Sequence, residues 1–370
     1  MAGIYVHIPF CASRCIYCGF YSSTGQLGLQ DEYVEALLKE LDIRKDYLGN
    51  TPVETIYIGG GTPSLLSAEN IRRLGDRLGG MGEIKEFTME CNPDDITPAL
   101  CDTMVSAGVN RVSMGVQTFS DVRLKFLHRR HTPGHIAPAI SLLRKAGISN
   151  ISIDLMFGFP NESITEWSQD IDKAIDLDVP HISAYSLMYE EGTPLFNMLQ
   201  KGTIAENGEE QCAAMYDLLI DKLSKASYEH YEISNFAKAG FHSLHNSNYW
   251  NGTKYIGLGA AAHSYDKKTR QWNVSDIKKY TSSIMSGKVP METEDIDART
   301  RYNDMITTAL RTRKGINLAD LSAQEHTYIL RNAHKSIGNG LLEITDNRLK
   351  LTRQGLFVSD EVMSDLIWID

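Results

Sequence analysis

Cys11-Ala12-Ser13-Arg14-Cys15-Ile16-Tyr17-Cys18 places three thiols within eight residues, directly after the β-branched, alternating run Gly3–Ile8. The chain has six cysteines, and the other three, Cys91, Cys101 and Cys212, are scattered. Six cysteines in 370 residues do not make a disulfide scaffold, whereas three crowded into one loop read as metal ligands. The scattered three read as small buried apolar residues. Three ligands leave a vacancy. A four-iron cluster held by three thiolates keeps one iron free to take a small chelating ligand, whereas a structural zinc would recruit a fourth ligand, His7 or Cys91. Spacing alone leaves both open.

Working outward from the loop, strand signals recur at Gly3–Ile8, Thr55–Gly59, Ile84–Cys91, Arg111–Val116, Ile151–Phe157 and His181–Leu187. Amphipathic helix patterns lie between them, at Asp31–Leu48, Ser67–Leu78, Thr97–Ala107, Gly134–Ala146 and Ser163–Leu177. Alternation of this kind predicts parallel βα units. Six units are fewer than the eight of a closed (β/α)8 barrel, so the expected fold is α/β, a partial (β/α)6 barrel or, failing that, an open doubly wound sheet. The cysteine loop would then sit at the C-terminal ends of the strands, where barrel active sites are built.

Past Leu187 a helix pattern at Glu209–Lys225 precedes a polar, aromatic and Gly-rich stretch, Tyr228–Tyr265, too elaborate for a linker. Helices return at Asp276–Ser286 and Asp297–Thr312, and a hairpin is expected around Thr345-Asp346-Asn347-Arg348. The expected organisation is a barrel over 1–235, an extension over 236–295, and a small helical, winged-helix-like domain over 296–370. Net charge of −10 and a pI near 5.6, without a dense basic helix, argue against a nucleic-acid partner. The N-terminus lacks a basic, then apolar, leader, and no run approaches the roughly 18 apolar residues of a membrane helix, so a cytoplasmic location is expected.

Other residues belong with the loop. Gly59-Gly60-Gly61-Thr62-Pro63 ends the second strand, where missing side chains let backbone groups approach a ligand; no Gly-Lys-Ser/Thr follows, so it is no Walker loop. Glu90, Gln117, Asp154 and Ser186 stand at or near later strand ends, where carboxylates and an amide can bind hydroxyls and an amino group. Arg129 could meet a carboxylate as a fork. With Tyr5-Val6-His7-Ile8-Pro9-Phe10 before the cysteines, Glu90-Cys91-Asn92-Pro93, and Gly115-Val116-Gln117-Thr118, these motifs resemble, in the same order, the coproporphyrinogen III oxidase-like branch of the radical S-adenosylmethionine (SAM) proteins. That resemblance spans nearly the whole chain. It implies a [4Fe–4S] cluster on Cys11, Cys15 and Cys18, with SAM chelating the fourth iron. It also implies a SAM site lined by Tyr5, Tyr17, Gly60, Gly61, Thr62, Glu90, Gln117, Arg129, Asp154, Met188 and His263.

The branch holds heme chaperones and oxygen-independent coproporphyrinogen III dehydrogenases, the latter decarboxylating propionates through a 5′-deoxyadenosyl radical. By resemblance, the dehydrogenase carries a further cysteine two residues past the third, where this chain has Phe20, and an N-terminal extension for which no material precedes the first strand. His245-Asn246-Ser247-Asn248-Tyr249-Trp250 matches the His-Asn-x-x-Tyr-Trp motif associated with heme in the chaperones. His245, Asn246, Tyr249 and Trp250 are therefore the expected heme residues, with His242 a competing ligand. The partners implied are a heme acceptor protein and an electron donor. Without the family, a histidine beside Tyr and Trp reads as a hydrogen-bonded structural residue.

Overall fold

Residues in the six expected strands alternate between two environments. Ile4, Val6, Ile8, Ile56, Ile58, Phe87, Met89, Val112, Met114, Ile151, Ile153 and Ile182 belong to one continuous apolar core. The residues between them, such as Tyr5, Tyr57, Glu90, Arg111, Ser113, Asp154, His181 and Ser183, point to the opposite face, as the two-residue period of a strand requires. One face therefore receives helices and the other bounds a polar lumen.

The computed structural model describes residues 1–369. The strands are β1 (Ala2–Ile8), β2 (Val53–Gly60), β3 (Glu86–Cys91), β4 (Arg111–Gln117), β5 (Asn150–Phe157), β6 (His181–Ser186), β7 (Glu229–Glu232), β8 (Asn235–Ala237), β9 (Lys254–Leu258), β10 (His263–Tyr265), β11 (Thr269–Asn273) and β12 (Met291–Asp295). They form one 12-stranded sheet in the order β12-β11-β10-β9-β1-β2-β3-β4-β5-β6-β8-β7. From β9 through β6 all neighbours are parallel. The ascending order from β1 to β6 has no reversal, which excludes the doubly wound alternative and gives barrel-type winding. Among the described residues β12 and β7 do not pair with each other, so the barrel is partial.

The crossover helices α1 (Gln30–Ile43), α2 (Ala68–Gly79), α3 (Pro98–Ser106), α4 (Pro133–Lys145), α5 (Ile164–Asp176) and α6 (Glu209–Lys225) cover the apolar face. Ser67, Thr97 and Ser163 cap α2, α3 and α5 by accepting an amide of the first turn, as the sequence signals predicted. α7 (Leu244–Trp250) lies against β1 and β2, and α8 (Ile277–Met285) packs on α1. One element escaped the sequence reading: β9 makes a seventh parallel strand, placing Ile256 beside Ile4. Gly257 interrupts its short apolar run, and polar residues surround it, so no strand signal rises there.

The last segment has its own core, built from residues such as Ile306, Leu310, Ile329, Leu349 and Leu366. It contains α9 (Ala298–Ala309), α10 (Ala323–Gly338), α11 (Ser359–Leu366) and a three-stranded sheet of Ile316–Asn317, Arg348–Leu351 and Leu342–Thr345. The expected hairpin turns at Asp346 and Asn347, with φ of 53° and 58°, the left-handed pair that a two-residue turn demands. No described helix is long and apolar enough to cross a membrane.

Candidate cofactor-binding site

Where the parallel strands end, the cysteine loop closes over a cavity of about 620 Å³ that descends into the polar lumen. Cys11, Cys15 and Cys18 line its rim, all three as free thiols. Burial pushes the Cys18 thiol up, and the neighbouring Cys15 and Cys11 add to that. The Thr62 hydroxyl donates to Cys11 Sγ at 3.6 Å, and Arg129 Nη1 donates to Cys15 Sγ at 3.6 Å. Of the two candidates for a fourth zinc ligand, His7 does not line the cavity, and Cys91 borders it with its thiol against Met104. The His7 ring is fixed between the Tyr5 hydroxyl at 3.0 Å and the Tyr21 carbonyl at 2.8 Å, and Cys91 lies on the apolar side of β3 beside Met104. Among the described residues, no three His, Cys, Asp or Glu side chains gather as a single metal ion requires. A cubane instead spreads its thiolates over three irons.

The glycine run makes the cavity possible. Gly60 has φ +112°, and a Cβ there would stand 2.6 Å from the His7 ring; a Cβ on Gly61 would stand 2.7 Å from the Phe10 carbonyl and 3.0 Å from Cys11 Sγ. The Gly60 N–H donates to Glu90 Oε2 at 3.0 Å, and the Tyr57 hydroxyl donates to Glu90 Oε1 at 2.7 Å. Glu90 is pushed up to about 7, chiefly by burial, against the pull of those two hydrogen bonds, and Asp154 adds to the rise. Burial also raises Asp154, while Ser183 and Arg111 hold it down. Gln117 closes β4 with φ 67°, a left-handed conformation after a register shift that begins at Gly115. In that conformation Gln117 lines the cavity.

Arg129 crosses the cavity wall. Its Nη2 donates to Asn92 Oδ1 at 2.7 Å and to the Gly115 carbonyl at 2.6 Å, while its Nε is buried with no partner. The guanidinium lines the cavity and is left one hydrogen bond short of its full set. Thiolates for iron, a cationic side chain for a carboxylate, and two carboxyl groups for hydroxyls or an amine are the donor set that a cluster with SAM calls for. The residues fit these groups.

Of the residues expected for SAM, Tyr17, Gly60, Gly61, Thr62, Glu90, Gln117, Arg129, Asp154 and Met188 line this one cavity. Tyr5 lies beside it, stacked on Tyr57 with ring centroids 6.2 Å apart. His263 is not brought there: it sits on β10, beyond β9 towards the sheet edge, exposed and stacked on Trp272 at 6.1 Å. Tyr57, Asn92 and Ser183 were missed. The inward period of the strands would have found Tyr57, which stands two residues before Gly59 and four from the loop's last glycine.

The His-Asn-x-x-Tyr-Trp segment forms α7, the floor of the lumen. Glu86, buried on β3, caps it by accepting the amides of Leu244 at 2.8 Å and His245 at 2.9 Å. His245 is 1 % exposed, with Nδ1 2.9 Å from Thr55 Oγ1 and Nε2 2.9 Å from the Tyr249 hydroxyl. Burial lowers its pKa to about 3. Both nitrogens are therefore engaged, the structural role that the residues taken by themselves suggested. Asn246 alone of the four expected heme residues lines the cavity; Trp250 lies under the Arg311 guanidinium, 5.9 Å from the ring centroid. His242 is half-exposed, bonded to Glu229 at 3.0 Å and stacked on Tyr231.

Comparison with known proteins agrees with this geometry. The profile of the Radical SAM superfamily matches residues 5–174, and that of the HemN C-terminal domain matches residues 296–358. The curated protein "Heme chaperone HemW" of Bacillus subtilis is 35 % identical over 371 residues, covering 98 % of each chain. Its counterpart in Mycobacterium tuberculosis is 34 % identical, covering 99 % of this chain and 94 % of that one. Among solved structures, coproporphyrinogen III oxidase (HemN) from Escherichia coli superposes with a TM-score of 0.85 at 21 % identity, covering 99 % of this chain and 90 % of that chain. That likeness speaks for the fold. Taken with similarity to HemW proteins from end to end, the cysteine loop, glycine run and strand-end residues make this chain a member of the HemW family within the radical SAM superfamily.

Proposed function

We propose that this protein carries a [4Fe–4S] cluster on Cys11, Cys15 and Cys18, binds SAM in the adjoining cavity, and acts as a heme chaperone that binds heme and passes it to an acceptor protein. One observation carries the reading: a single cavity runs from the three free thiols at the rim to Asn246 of the His-Asn-x-x-Tyr-Trp helix at the floor. When bound, the cluster supplies single-electron chemistry to SAM. The protein's own part is to hold three thiolates, place the Arg129 guanidinium on the cavity wall as a cation for a carboxylate, and offer Glu90 and Asp154 to hydroxyl or amine groups. His245 reaches a heme iron only if α7 leaves the floor, whereas His242 is an accessible imidazole in the structure as it stands.

The second reading, an oxygen-independent coproporphyrinogen III dehydrogenase, is favoured by the intact cavity and opposed by Gly19 and Phe20 where a fourth cysteine would stand. The deciding experiment is an anaerobic assay of the reconstituted protein with SAM and reductant, run in parallel with heme and with coproporphyrinogen III. Heme absorbance retained by the protein with no decarboxylated product supports the chaperone. SAM-dependent release of carbon dioxide overturns it.

A further inference from the structure

Tyr57 ties the two ends of the cavity together. Its hydroxyl donates to Glu90 Oε1 at 2.7 Å, at the mouth, while its ring lies 5.3 Å from the His245 imidazole, at the floor, with 30° between the planes. His245 is in turn pinned by Thr55, two residues before Tyr57 on the same inward face of β2, and by Tyr249. Thr55 Oγ1 also accepts from Asn248 Nδ2 at 3.3 Å, so one strand holds both residues of α7 that face it. α7 itself has seven residues, too short to be stable alone, and owes its place to these contacts and to the Glu86 cap.

We propose that Tyr57 is a positioning residue that couples occupancy of the SAM site to the placement of α7. The inference rests on the reading of the cavity as a SAM site. A ligand hydroxyl donating to Glu90 withdraws negative charge from the carboxylate oxygen that Tyr57 also donates to. The Tyr57 hydroxyl bond then lengthens or turns, and the ring, packed between Tyr5 and His245, carries the change to the imidazole. Coupling between two sites is reciprocal, so whatever α7 binds shifts SAM affinity by the same factor as SAM shifts its own.

The test is hydrogen–deuterium exchange on the cluster-loaded full-length protein, with and without saturating SAM, in wild type and Tyr57→Phe. The phenylalanine keeps the ring stack and removes only the hydroxyl. In wild type, SAM should slow exchange at residues 59–62 and change it at residues 243–250 by at least about fivefold. In Tyr57→Phe the response at 59–62 should persist and that at 243–250 should vanish. A wild-type response at 59–62 without one at 243–250 overturns the coupling and leaves the SAM site standing, and so does an undiminished α7 response in the variant. No response at 59–62 overturns both. Should Tyr57→Phe not accept the cluster, Tyr57→Leu, which removes ring and hydroxyl together, takes its place, and a 243–250 response kept in that variant overturns the role of Tyr57.

Discussion

The mouth and the floor of the barrel are lined by the same inward positions of the same strands, yet they treat polar atoms in opposite ways. At the floor, His245, Thr55, Tyr249, Asn248 and Glu86 form one hydrogen-bonded cluster. At the mouth, Arg129 Nε is buried without a partner, three thiols stand free, and Met188 is 60 % exposed. Arg111, between the two, is 1 % exposed, donates to Thr88 Oγ1 at 3.4 Å and acts by its charge on Asp154 and Glu90. A saturated polar cluster fixes a structure, whereas an unsaturated one marks where a ligand must complete it.

The sharpest way to break this comparison is to remove a group from each end. Cys15→Ala should abolish iron and brown absorbance after anaerobic reconstitution while leaving the circular dichroism unchanged, because Cys15 is half-buried and, unlike its neighbour Ile16, belongs to none of the apolar clusters. Full iron content in that variant would overturn the cluster assignment. At the floor, His245→Ala strips partners from Thr55 and Tyr249 and opens a void. It should cost about 2–4 kcal/mol in urea unfolding with cluster content unchanged, whereas His242→Ala, which loses an exposed pair, should cost about 0–1 kcal/mol. If the two variants unfold alike, the floor is not the saturated cluster described here. Heme titration of both also tells which imidazole the iron prefers.

Acidity separates the ends further. Glu90, held at about 7, binds a proton more readily folded than unfolded, so its contribution to stability is full below about 4.5 and is lost as pH rises through 7. His245, held near 3 against an ordinary 6.5, contributes stability that is present above 6.5 and lost as pH falls towards 3. Glu90→Gln should therefore gain on wild type by about 1–3 kcal/mol between pH 5 and 8 in the cofactor-free protein, and lose SAM affinity most at the alkaline end. A pH-independent difference would remove Glu90 from the buried site. The smallest effect belongs far from both: Ser322→Ala, which breaks the capping box of α10, should cost about 1 kcal/mol in the C-terminal segment and leave SAM affinity untouched.

The mouth was legible in the sequence because its requirements are local. Three cysteines in one loop, glycines where a Cβ would strike Phe10 or His7, and polar residues at strand ends each show in a few consecutive letters. The floor was not, since it depends on which distant strand α7 meets. His245 and Asn248 are three residues apart on one helix, but that both turn towards Thr55, 190 residues before His245, is a tertiary fact. His263 went astray for the same reason: its place follows from β9 joining β1 in parallel, and the sequence around Ile256 gave too weak a strand signal to foresee that pairing. Six of the parallel strands were readable because the apolar face of each is long and regular.

The alternation of β1 to β6 has one more consequence, for how such a protein can change. Each strand writes its foldability in one set of letters and its chemistry in the other, interleaved residue by residue. A library that randomises only the lumen-facing letters, such as Ser113 and Ser183, would sample new ligands without disturbing the hydrophobic layer beneath the helices. Descendants of one ancestor can in this way drift far apart in what they hold while remaining superposable in how they fold.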